Sequence, residues 1–325
     1  MATDGGTKAV VAALLANLGI AVTKLVAFAL TGISSMLAEG IHSIADSGNQ
    51  GLLLLGGKRS QREATERHPF GYGRERYIYS FIVAIVLFSV GGLFALYEAW
   101  HKFHEVRDGH HDDAGRWWWV PLVVLGVAIV LEGLSFRTAI RETSKIKGQA
   151  SYAQFIRRAK QPELPVILLE DLAALVGLVF AFVAVSLSLV TENYYFDVAG
   201  TAAIGLLLVV VAVILAVETK SLLLGESASA EAETRIEAAL TRTPGIDSLI
   251  HMKTLHLGPE ELLVAAKFGT SSGADAAAVA SAIDAAERAI REAEPTARVI
   301  YLEPDIFRAD YVPAERPEPP APAGH

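Results

Sequence analysis

The chain has 325 residues, of which 52% are hydrophobic, and it carries a formal net charge of −8 and no cysteine. Soluble domains are about 45–50% apolar on a count that includes glycine, so this share, counted without glycine, indicates a membrane protein. The absence of cysteine excludes disulfides and thiolate ligands, and the acidic balance argues against a nucleic-acid partner. Most of the charge lies between Glu226 and Asp310, where 15 acidic and 8 basic residues leave a net charge of −7.

Six stretches are long and apolar enough to cross a bilayer as helices, which takes roughly 20 apolar residues. Polar residues interrupt the second and fifth stretches, and Pro165 fits the first turn of the fifth. The predicted spans are Ala9–Leu30, Ile33–Leu55, Tyr77–Trp100, Trp117–Phe136, Leu164–Leu189 and Phe196–Val217. We therefore predict an all-α membrane domain of six transmembrane helices over residues 1–220.

The loops between these spans differ in their basic residues, which sets the predicted orientation. The first and fifth loops carry no Lys or Arg. Because Lys and Arg concentrate on the cytoplasmic side, we expect a multi-pass protein of a bacterial plasma membrane with both termini in the cytoplasm. The second and fourth loops hold Lys58, Arg59, Arg62, Arg67, Arg74, Arg76, Arg141, Lys145, Lys147, Arg157, Arg158 and Lys160.

The composition changes after Lys220, and residues 221–310 have the pattern of a separate small domain. Residues 151–158, in the loop before the fifth span, predict a further short helix on the membrane surface. The Pro-rich segment 311–325 is expected to be disordered. In chain order, the C-terminal pattern predicts a helix, two strands, a helix and a strand at Glu231–Leu240, Leu249–Leu257, Leu262–Phe268, Ala276–Glu292 and Arg298–Leu302. This α-β-β-α-β order is typical of a cytosolic α+β domain.

Ionisable residues inside the second and fifth spans carry the functional signal. An ionised side chain in hydrocarbon costs several kcal/mol, so it is rare there and usually functional. His42 and Asp46 are four residues apart and share one helix face. Imidazole and carboxylate are ligands of zinc and its neighbours. We therefore predict a divalent-cation site of His42, Asp46, Asp171 and Glu170, in which Glu170 is the least secure because it is rotated by about 100° from Asp171.

Three further polar residues are candidate ligands with a structural alternative. Asn49 lies on nearly the same helix face as Asp46, and Asn17 of the first span lines the pathway in this interpretation. Glu39, one turn before His42, is either a ligand at the mouth of the pathway or an interfacial residue. The alternative for such polar groups is hydrogen bonding between packed helices.

Other charged residues in the spans are given structural roles. Lys24 either neutralises a carboxylate or extends to the membrane surface, and its place near the end of the first span favours the surface. Glu132 and Arg137 are expected to form an ion pair at the cytoplasmic boundary. His251, His256 and Glu303 are candidate ligands in the C-terminal domain, although histidines on strands are usually structural.

Three segments taken together resemble the cation diffusion facilitator family, and more closely its branch that contains the ninth vertebrate zinc transporter. They are SMLAEGIHSIADSGNQ at 35–50, HPFGYGRERY at 68–77 and VILLEDLAA at 166–174. The resemblance extends from about Ala9 to Asp305. It implies a homodimer whose protomers have six helices, cytosolic termini and a metallochaperone-like C-terminal domain, and which exports divalent cations, commonly zinc, in exchange for protons.

The resemblance transfers to the membrane site with one departure. The family's pair on the second helix falls on His42 and Asp46. Its pair on the fifth helix, also four residues apart, falls on Ile167 and Asp171. Ile167 cannot bind a metal, and Glu170 is the predicted substitute.

Two secondary sites of the family are degraded in this chain. The site in the second cytoplasmic loop falls on Thr65, His68 and Tyr72, of which only His68 is a good ligand. The C-terminal site falls on His251, Ala266, Tyr301 and Glu303, so two of its four positions have lost their ligands. Only weak secondary metal binding is therefore expected at His68, His251 and Glu303.

These patterns predict a proton-coupled exporter of divalent cations, with zinc first and manganese, iron or cobalt as the alternative. We expect no prosthetic group and no enzymatic activity. Its partners would be a second copy of the chain, protons and the lipid bilayer. A non-transporting membrane metal sensor or scaffold is a rival from another class. A membrane enzyme ranks last, because no paired nucleophile or dedicated base accompanies the predicted ligands.

Overall fold

The computed structural model describes residues 2–31, 34–109 and 118–306. The side chains of 2–5, 31, 34–39, 41 and 42 lie outside this description, so Glu39 and His42 are placed by their backbone alone. The segment predicted to be disordered, 311–325, also lies outside it. Two compact units are present, which we name the helical unit (Met1–Glu226 with His256–Glu261) and the α/β unit (Ser227–Leu255 with Leu262–His325).

The described part of the helical unit consists of helices, most of them long. Its third long helix, Glu75–Arg107, is continuous over 33 residues and contains a π-helical segment at Leu87–Leu93 between two α-helical parts. The helices are α1 (Ala2–Thr31), α2 (Ser34–Ser60), α3 (Glu75–Val86), α4 (Phe94–Arg107), α5 (Val120–Ile146), α6 (Tyr152–Arg158), α7 (Glu163–Thr191) and α8 (Tyr195–Leu224). The predicted domain boundary after residue 220 thus falls inside the last turn of α8.

Five helical segments of the described chain are long and apolar enough to cross a membrane. They are Gly6–Leu30, Glu75–Arg107, Val120–Ile146, Glu163–Thr191 and Tyr195–Leu224. The helix α2 has a comparable length of 27 residues, or about 40 Å at 1.5 Å per residue. Its polar residues lower its hydropathy, as expected for a helix that faces the interior of a bundle. The predicted all-α membrane domain is confirmed.

The core of the helical unit lies between α1, α2, α3, α5, α7 and α8. The helix α1 packs against α2 and α5, and α7 packs against α5 and α8. Ile167 belongs to this core and is fully buried, together with Leu164 and Val166. Large apolar side chains such as Val190 and Leu206 are exposed on the outside of the unit, which suits contact with lipid rather than water.

Two helices approach each other closely because glycine lies at their contact. At Gly205 of α8, a Cβ atom would come within 2.9 Å of the backbone nitrogen of Leu96 in α4. At Gly92 of the π-helical segment, a Cβ would come within 2.6 Å of the side chain of Val209. Small residues of this kind let helix backbones pack together in a membrane.

The predicted short helix before the fifth span is present as α6. Ser151 and Gln154 form a capping box at its start, in which each side chain accepts a hydrogen bond from the other residue's backbone N–H. Phe155 and Ile156 pack against the core of the helical unit. Packing against this core therefore adds to the cap in holding a helix of only seven residues.

The α/β unit contains α9 (Ala230–Thr241), most of β1 (Ser248–Gly258), most of β2 (Glu261–Gly269), α10 (Ala276–Ala293) and β3 (Ala297–Asp305). The sheet order is β1-β2-β3. The strands β2 and β3 pair in parallel, and α10 connects them along the chain. Alternate residues of β2 are buried and pack against α9 and α10, with Ile236, Phe268 and Ile290 among the buried side chains. The predicted α-β-β-α-β order is confirmed.

Candidate cation site

The predicted ligands are brought to two neighbouring parts of the bundle by α2 and α7. On α7, Glu170 and Asp171 are 5% and 1% exposed, in a helix that is mostly apolar. On α2, Asn49 is buried and Asp46 is half-buried. His42 lies one turn before Asp46 on the helical backbone. The structure therefore places the carboxyl groups of Glu170 and Asp171 inside the helical unit, with Asp46 half-buried on α2.

Glu170 is held by two amides of α2. The Nδ2 of Asn49 donates to its Oε1 at 2.8 Å, and the Nε2 of Gln50 donates to its Oε2 at 3.1 Å. Gln50 in turn accepts a hydrogen bond of 3.2 Å from the Nδ2 of Asn17 on α1. One buried chain of hydrogen bonds therefore links α1, α2 and α7, and both Glu170 oxygens are engaged in it.

Gln50 is a member of this network that the sequence analysis missed. It is fully buried and connects Asn17 to Glu170. Its signal was available, because Gln50 lies four residues after Asp46 and therefore on the same face of α2.

Asp171 faces a different helix from its neighbour. The hydroxyl of Ser135 on α5 donates to its Oδ2 at 2.7 Å. Consecutive residues of a helix are rotated by about 100°, so adjacent carboxylates contact different neighbours. Glu170 is thus directed to α2 and Asp171 to α5.

The complete predicted set of ligands extends beyond the described side chains. Among the side chains that the structure describes, no three His, Asp or Glu residues come together as a metal site. The imidazole of His42 is not among them. The site of His42, Asp46, Asp171 and Glu170 therefore stays a prediction.

Asn49 leaves an oxygen available in this region. Its Nδ2 donates to Glu170, while its buried Oδ1 accepts no hydrogen bond from the described residues. An unpaired buried carbonyl oxygen costs about 1–3 kcal/mol, so it is rarely left in this state without a reason. This oxygen is one that a bound cation could use.

Glu132 of α5 belongs to the interior of the bundle, which corrects the sequence analysis. It is 2% exposed and interacts electrostatically with Asp171, Asp46 and Glu170. The described residues contain no ion pair between Glu132 and Arg137, and Arg137 is exposed. Five residues on a helix correspond to a rotation of about 140°, so the two side chains point to different sides.

Lys24 is also buried, and the expectation that it extends to the surface is wrong. It is 4% exposed, and its Nζ donates to the hydroxyl of Ser43 on α2 at 3.1 Å. The ammonium also interacts electrostatically with Glu132. The position of Lys24 on the face of α1 that packs against α2 decides this, and not its distance from the helix end.

The candidate secondary ligands are engaged in local contacts. In the helical unit, the Nδ1 of His68 lies 3.1 Å from the hydroxyl of Tyr72, and the Nδ1 of the buried His256 lies 3.3 Å from the carbonyl oxygen of Gly258. In the α/β unit, His251 of β1 is exposed, and Glu303 of β3 pairs with Lys267 at 2.9 Å. The strand β2 separates His251 from Glu303.

Comparison with known proteins gives one family match and several similar proteins. Residues 10–224 match a family model described as the cation efflux transmembrane domain. The proton-coupled zinc antiporter SLC30A9, mitochondrial, of Mus musculus is 32% identical over 238 residues, which cover 72% of this chain and 41% of that protein. Metal tolerance protein C4 of Arabidopsis thaliana is 28% identical over 226 residues, which cover 69% of this chain and 48% of that protein.

A third similarity is shorter. Magnetosome protein MamB of Magnetospira sp. (strain QH-2) is 36% identical over 83 residues, or 26% of this chain and 28% of that protein. The matched part spans less than half of the length of each of these three relatives. The multi-pass membrane character of the chain rests on the family match together with its apolar helices.

Proposed function

This chain belongs to the cation efflux family, and we propose that it moves divalent cations out of the cytoplasm in exchange for protons, with zinc as the first candidate. One observation carries the proposal. Glu132, Glu170 and Asp171 are each buried inside membrane-spanning helices, where carboxylates are costly and mark ion pathways. The name of the Mus musculus relative, a proton-coupled zinc antiporter, supports the same cargo and the same counter-ion.

The proposed cation site consists of His42, Asp46 and Asp171, together with Glu170 as the substitute for the ligand that is missing at Ile167. Asn49 and Asn17 join the hydrogen-bond network of Glu170. Asn49 contributes its unpaired oxygen to the cation in this proposal. Asn17 and Glu39 are assigned to the pathway that leads to the site.

Proton exchange follows from the chemistry of these ligands. Imidazole and carboxylate bind a cation only when they are deprotonated, so protons and metal compete for the same atoms. Metal binds from the cytoplasm to the deprotonated site. When the site faces the other side of the membrane, protons displace the metal and are carried inward.

Flux measurements in proteoliposomes test this proposal. The variants Asp46→Ala and Asp171→Ala are expected to abolish proton flux driven by a zinc gradient, read with a pH-sensitive dye inside the vesicles. Thr143→Val is the control. Thr143 is buried on α5, and its hydroxyl neither donates nor accepts a hydrogen bond within the described residues. Retained flux in either aspartate variant would refute the assignment of that aspartate to the cation site.

The donor atoms of the proposed site also influence which metal it prefers. One imidazole combined with carboxylate and amide oxygens suits zinc, but manganese, iron(II) and cobalt accept more oxygen ligands. Uptake by inverted vesicles of Zn²⁺, Mn²⁺, Fe²⁺, Co²⁺ and Cd²⁺ ranks the cations directly. Highest transport efficiency for Mn²⁺ or Fe²⁺ would replace zinc as the cargo.

A metal sensor or scaffold is the rival from another class, and the same vesicles distinguish it. A sensor binds zinc with no associated proton or metal flux. An enzyme would convert a substrate in the absence of a cation gradient. We propose transport because the buried carboxylates lie inside helices long enough to cross the bilayer.

We further propose a homodimer in a bacterial plasma membrane with both termini in the cytoplasm. The basic residues of the second and fourth loops support this orientation. Light scattering of the purified protein in detergent measures the mass of the assembly. Labelling of single cysteines placed in the loops of this cysteine-free chain tests the side of the membrane on which each loop lies.

A further inference from the structure

The exposed face of α5 is apolar over most of its length and basic toward its end. Its exposed apolar side chains recur every three or four residues, which is the spacing of one helix face. They are Val123, Val127, Val130 and Leu134. Arg137 and Arg141 are exposed as well and continue the same spacing. The face of α5 that suits contact with lipid therefore carries two guanidinium groups after Leu134.

These two arginines lie at the depth of lipid headgroups. Trp119, directly before α5, is 45% exposed, and tryptophan concentrates at the membrane–water interface. At 1.5 Å per residue, Arg137 and Arg141 are about 27 and 33 Å further along the helix. The hydrocarbon core of a bilayer is about 30 Å thick. A helix anchored at Trp119 thus brings both guanidinium groups to the opposite interface.

The protein does not neutralise the charge of these arginines. Among the residues that the structure describes, neither Arg137 nor Arg141 forms an ion pair with a carboxylate. Lys145 differs from them, because its Nζ lies 2.5 Å from the Oε1 of Glu142. A guanidinium group matches the geometry of a phosphate, to which it can donate two parallel hydrogen bonds. Both arginines are therefore available to an anionic partner outside the chain.

The helix α6 borders this basic end of α5. The hydroxyl of Tyr152 lies 3.0 Å from that of Ser144, which follows Arg141 by three residues on the same helix face. The Nζ of Lys147 lies 5.2 Å from the centre of the Tyr152 ring and donates to the carbonyl oxygen of Ala150 at 2.9 Å. Both of these contacts are with neutral groups. A third positive charge is thus held beside the aromatic ring that contacts this face.

We propose that Arg137, Arg141, Lys147 and Tyr152 form a surface that binds the headgroup of an anionic phospholipid. The lipid phosphate accepts hydrogen bonds from the guanidinium groups, and the acyl chains lie along the apolar face that ends at Leu134. Charge complementarity selects this occupant, because a zwitterionic headgroup brings a further cation to a surface that already carries three positive charges. The inference is independent of cation transport, since lipid binding requires no metal.

Quenching of a fluorescent label by brominated lipids tests this inference. Because the chain contains no cysteine, Leu134→Cys accepts a single label one turn before the basic end of α5. The labelled full chain is reconstituted in bilayers that contain brominated phosphatidylglycerol or brominated phosphatidylcholine, and the two quenching curves give the ratio of the lipid binding constants. We expect this ratio to favour phosphatidylglycerol by roughly tenfold or more with the native arginines. Arg137→Gln and Arg141→Gln should each lower it about fivefold, and the double variant should bring it close to one.

Arg107→Gln in the same labelled background is the control. Arg107 is an exposed arginine at the end of α4, directly before the loop that leads to the start of α5, and it pairs with Asp108. Its replacement should leave the ratio unchanged.

Equal quenching by the two lipids with the native arginines, or an unchanged ratio in the double glutamine variant, would overturn the inference. Weak quenching by both lipids would overturn it as well, because it would mean that protein, such as a second copy of the chain, covers this face. If the double variant does not fold, the single variants decide: a fivefold fall in the ratio supports the inference, and a retained ratio refutes it.

Discussion

Asn49 and Glu170 are joined by a 2.8 Å hydrogen bond between α2 and α7, with the amide of Asn49 as the donor. Gln50 occupies the other oxygen of the same carboxylate. The carboxylate of Glu170 is therefore a junction between helices in this conformation. Each oxygen that accepts one of these hydrogen bonds keeps a further lone pair, so a cation can bind Glu170 beside the two amides.

Substitution of this junction should destabilise the helical unit. In Glu170→Gln, the side chain can no longer accept hydrogen bonds from both amides, because its NH₂ group would face a donor. We expect a loss of about 1–3 kcal/mol in the free energy of unfolding, the usual effect of an unpaired buried polar group. Unfolding in mixed micelles with increasing SDS measures this loss.

Glu98→Gln is the matched control for that experiment. Glu98 lies on α4 and is partly exposed, and its ion pair with Lys102 has a distance of 3.9 Å. Its replacement should change stability by less than about 0.5 kcal/mol. Equal stability of the two variants would contradict the role assigned to Glu170.

The contact of Gly205 with Leu96 predicts intolerance of a methyl group. A Cβ at residue 205 would lie 2.9 Å from a backbone nitrogen, which cannot move aside as a side chain can. Gly205→Ala should therefore cost about 1–3 kcal/mol through overpacking. Gly126→Ala on α5 is the control, because a Cβ there meets no atom within 4 Å, and alanine favours the helix. Thermal unfolding of the two purified variants tests this prediction, and Gly205→Ala should have the lower midpoint. A similar midpoint for both variants would refute the close contact.

Arg76 and Glu163 form a buried ion pair between α3 and α7, in which two guanidinium nitrogens donate to the two carboxylate oxygens. Removal of Arg76 leaves the carboxylate of Glu163 without this partner, and removal of Glu163 leaves Arg76 with only the carboxylate of Glu260, which lies 3.9 Å away. Loss of one partner of a buried pair usually costs about 3–5 kcal/mol. We expect Arg76→Leu and Glu163→Leu each to show such a loss. The double variant should be more stable than either single variant, because no charge is left unpaired. SDS unfolding of all three proteins measures this coupling, and additive losses would contradict it.

Glu294 of the α/β unit predicts a dependence of stability on pH. Its burial opposes ionisation, but hydrogen bonds from Thr296 and from Arg235 outweigh this effect and hold the pKa of Glu294 below its usual value of 4.5. A lowered pKa in the folded state means that the ionised carboxylate stabilises the fold above pH 4.5. This contribution is lost as the pH falls through the folded-state pKa.

Glu294→Gln should therefore lower the stability of the α/β unit by about 1 kcal/mol at pH 7 and have little effect once the carboxylate of the wild-type protein is protonated. Amide hydrogen exchange in α9 and β3 of the full chain, corrected for intrinsic rates, measures the difference at each pH. Glu287→Gln is the control, because Glu287 pairs with the half-exposed Arg291 one turn away on the surface of α10. A loss in Glu294→Gln that is the same at low pH and at pH 7 would refute the ionic contribution.

Local patterns were sufficient to predict the elements of this protein. A long apolar run or an alternation of apolar residues depends only on neighbours along the chain, so the presence and order of the helices and strands could be predicted. The helix ends were predicted less well, because α5 continues past the predicted end at Phe136 to Ile146. The four-residue spacing of His42 and Asp46 is local in the same way. The departure from the family pattern at Ile167 was also readable, and its complete burial explains why an apolar residue is accommodated there.

Partners across helices could not be predicted, because they depend on how each helix is rotated in the packed bundle. Glu170 and Asp171 are adjacent in the chain, yet one meets α2 and the other meets α5. Lys24 and Glu132 were assigned to the surface and to a boundary ion pair, and the rotations of α1 and α5 bury both. Periodicity reveals which residues share a face of one helix, whereas only the packing of all the helices decides what that face meets.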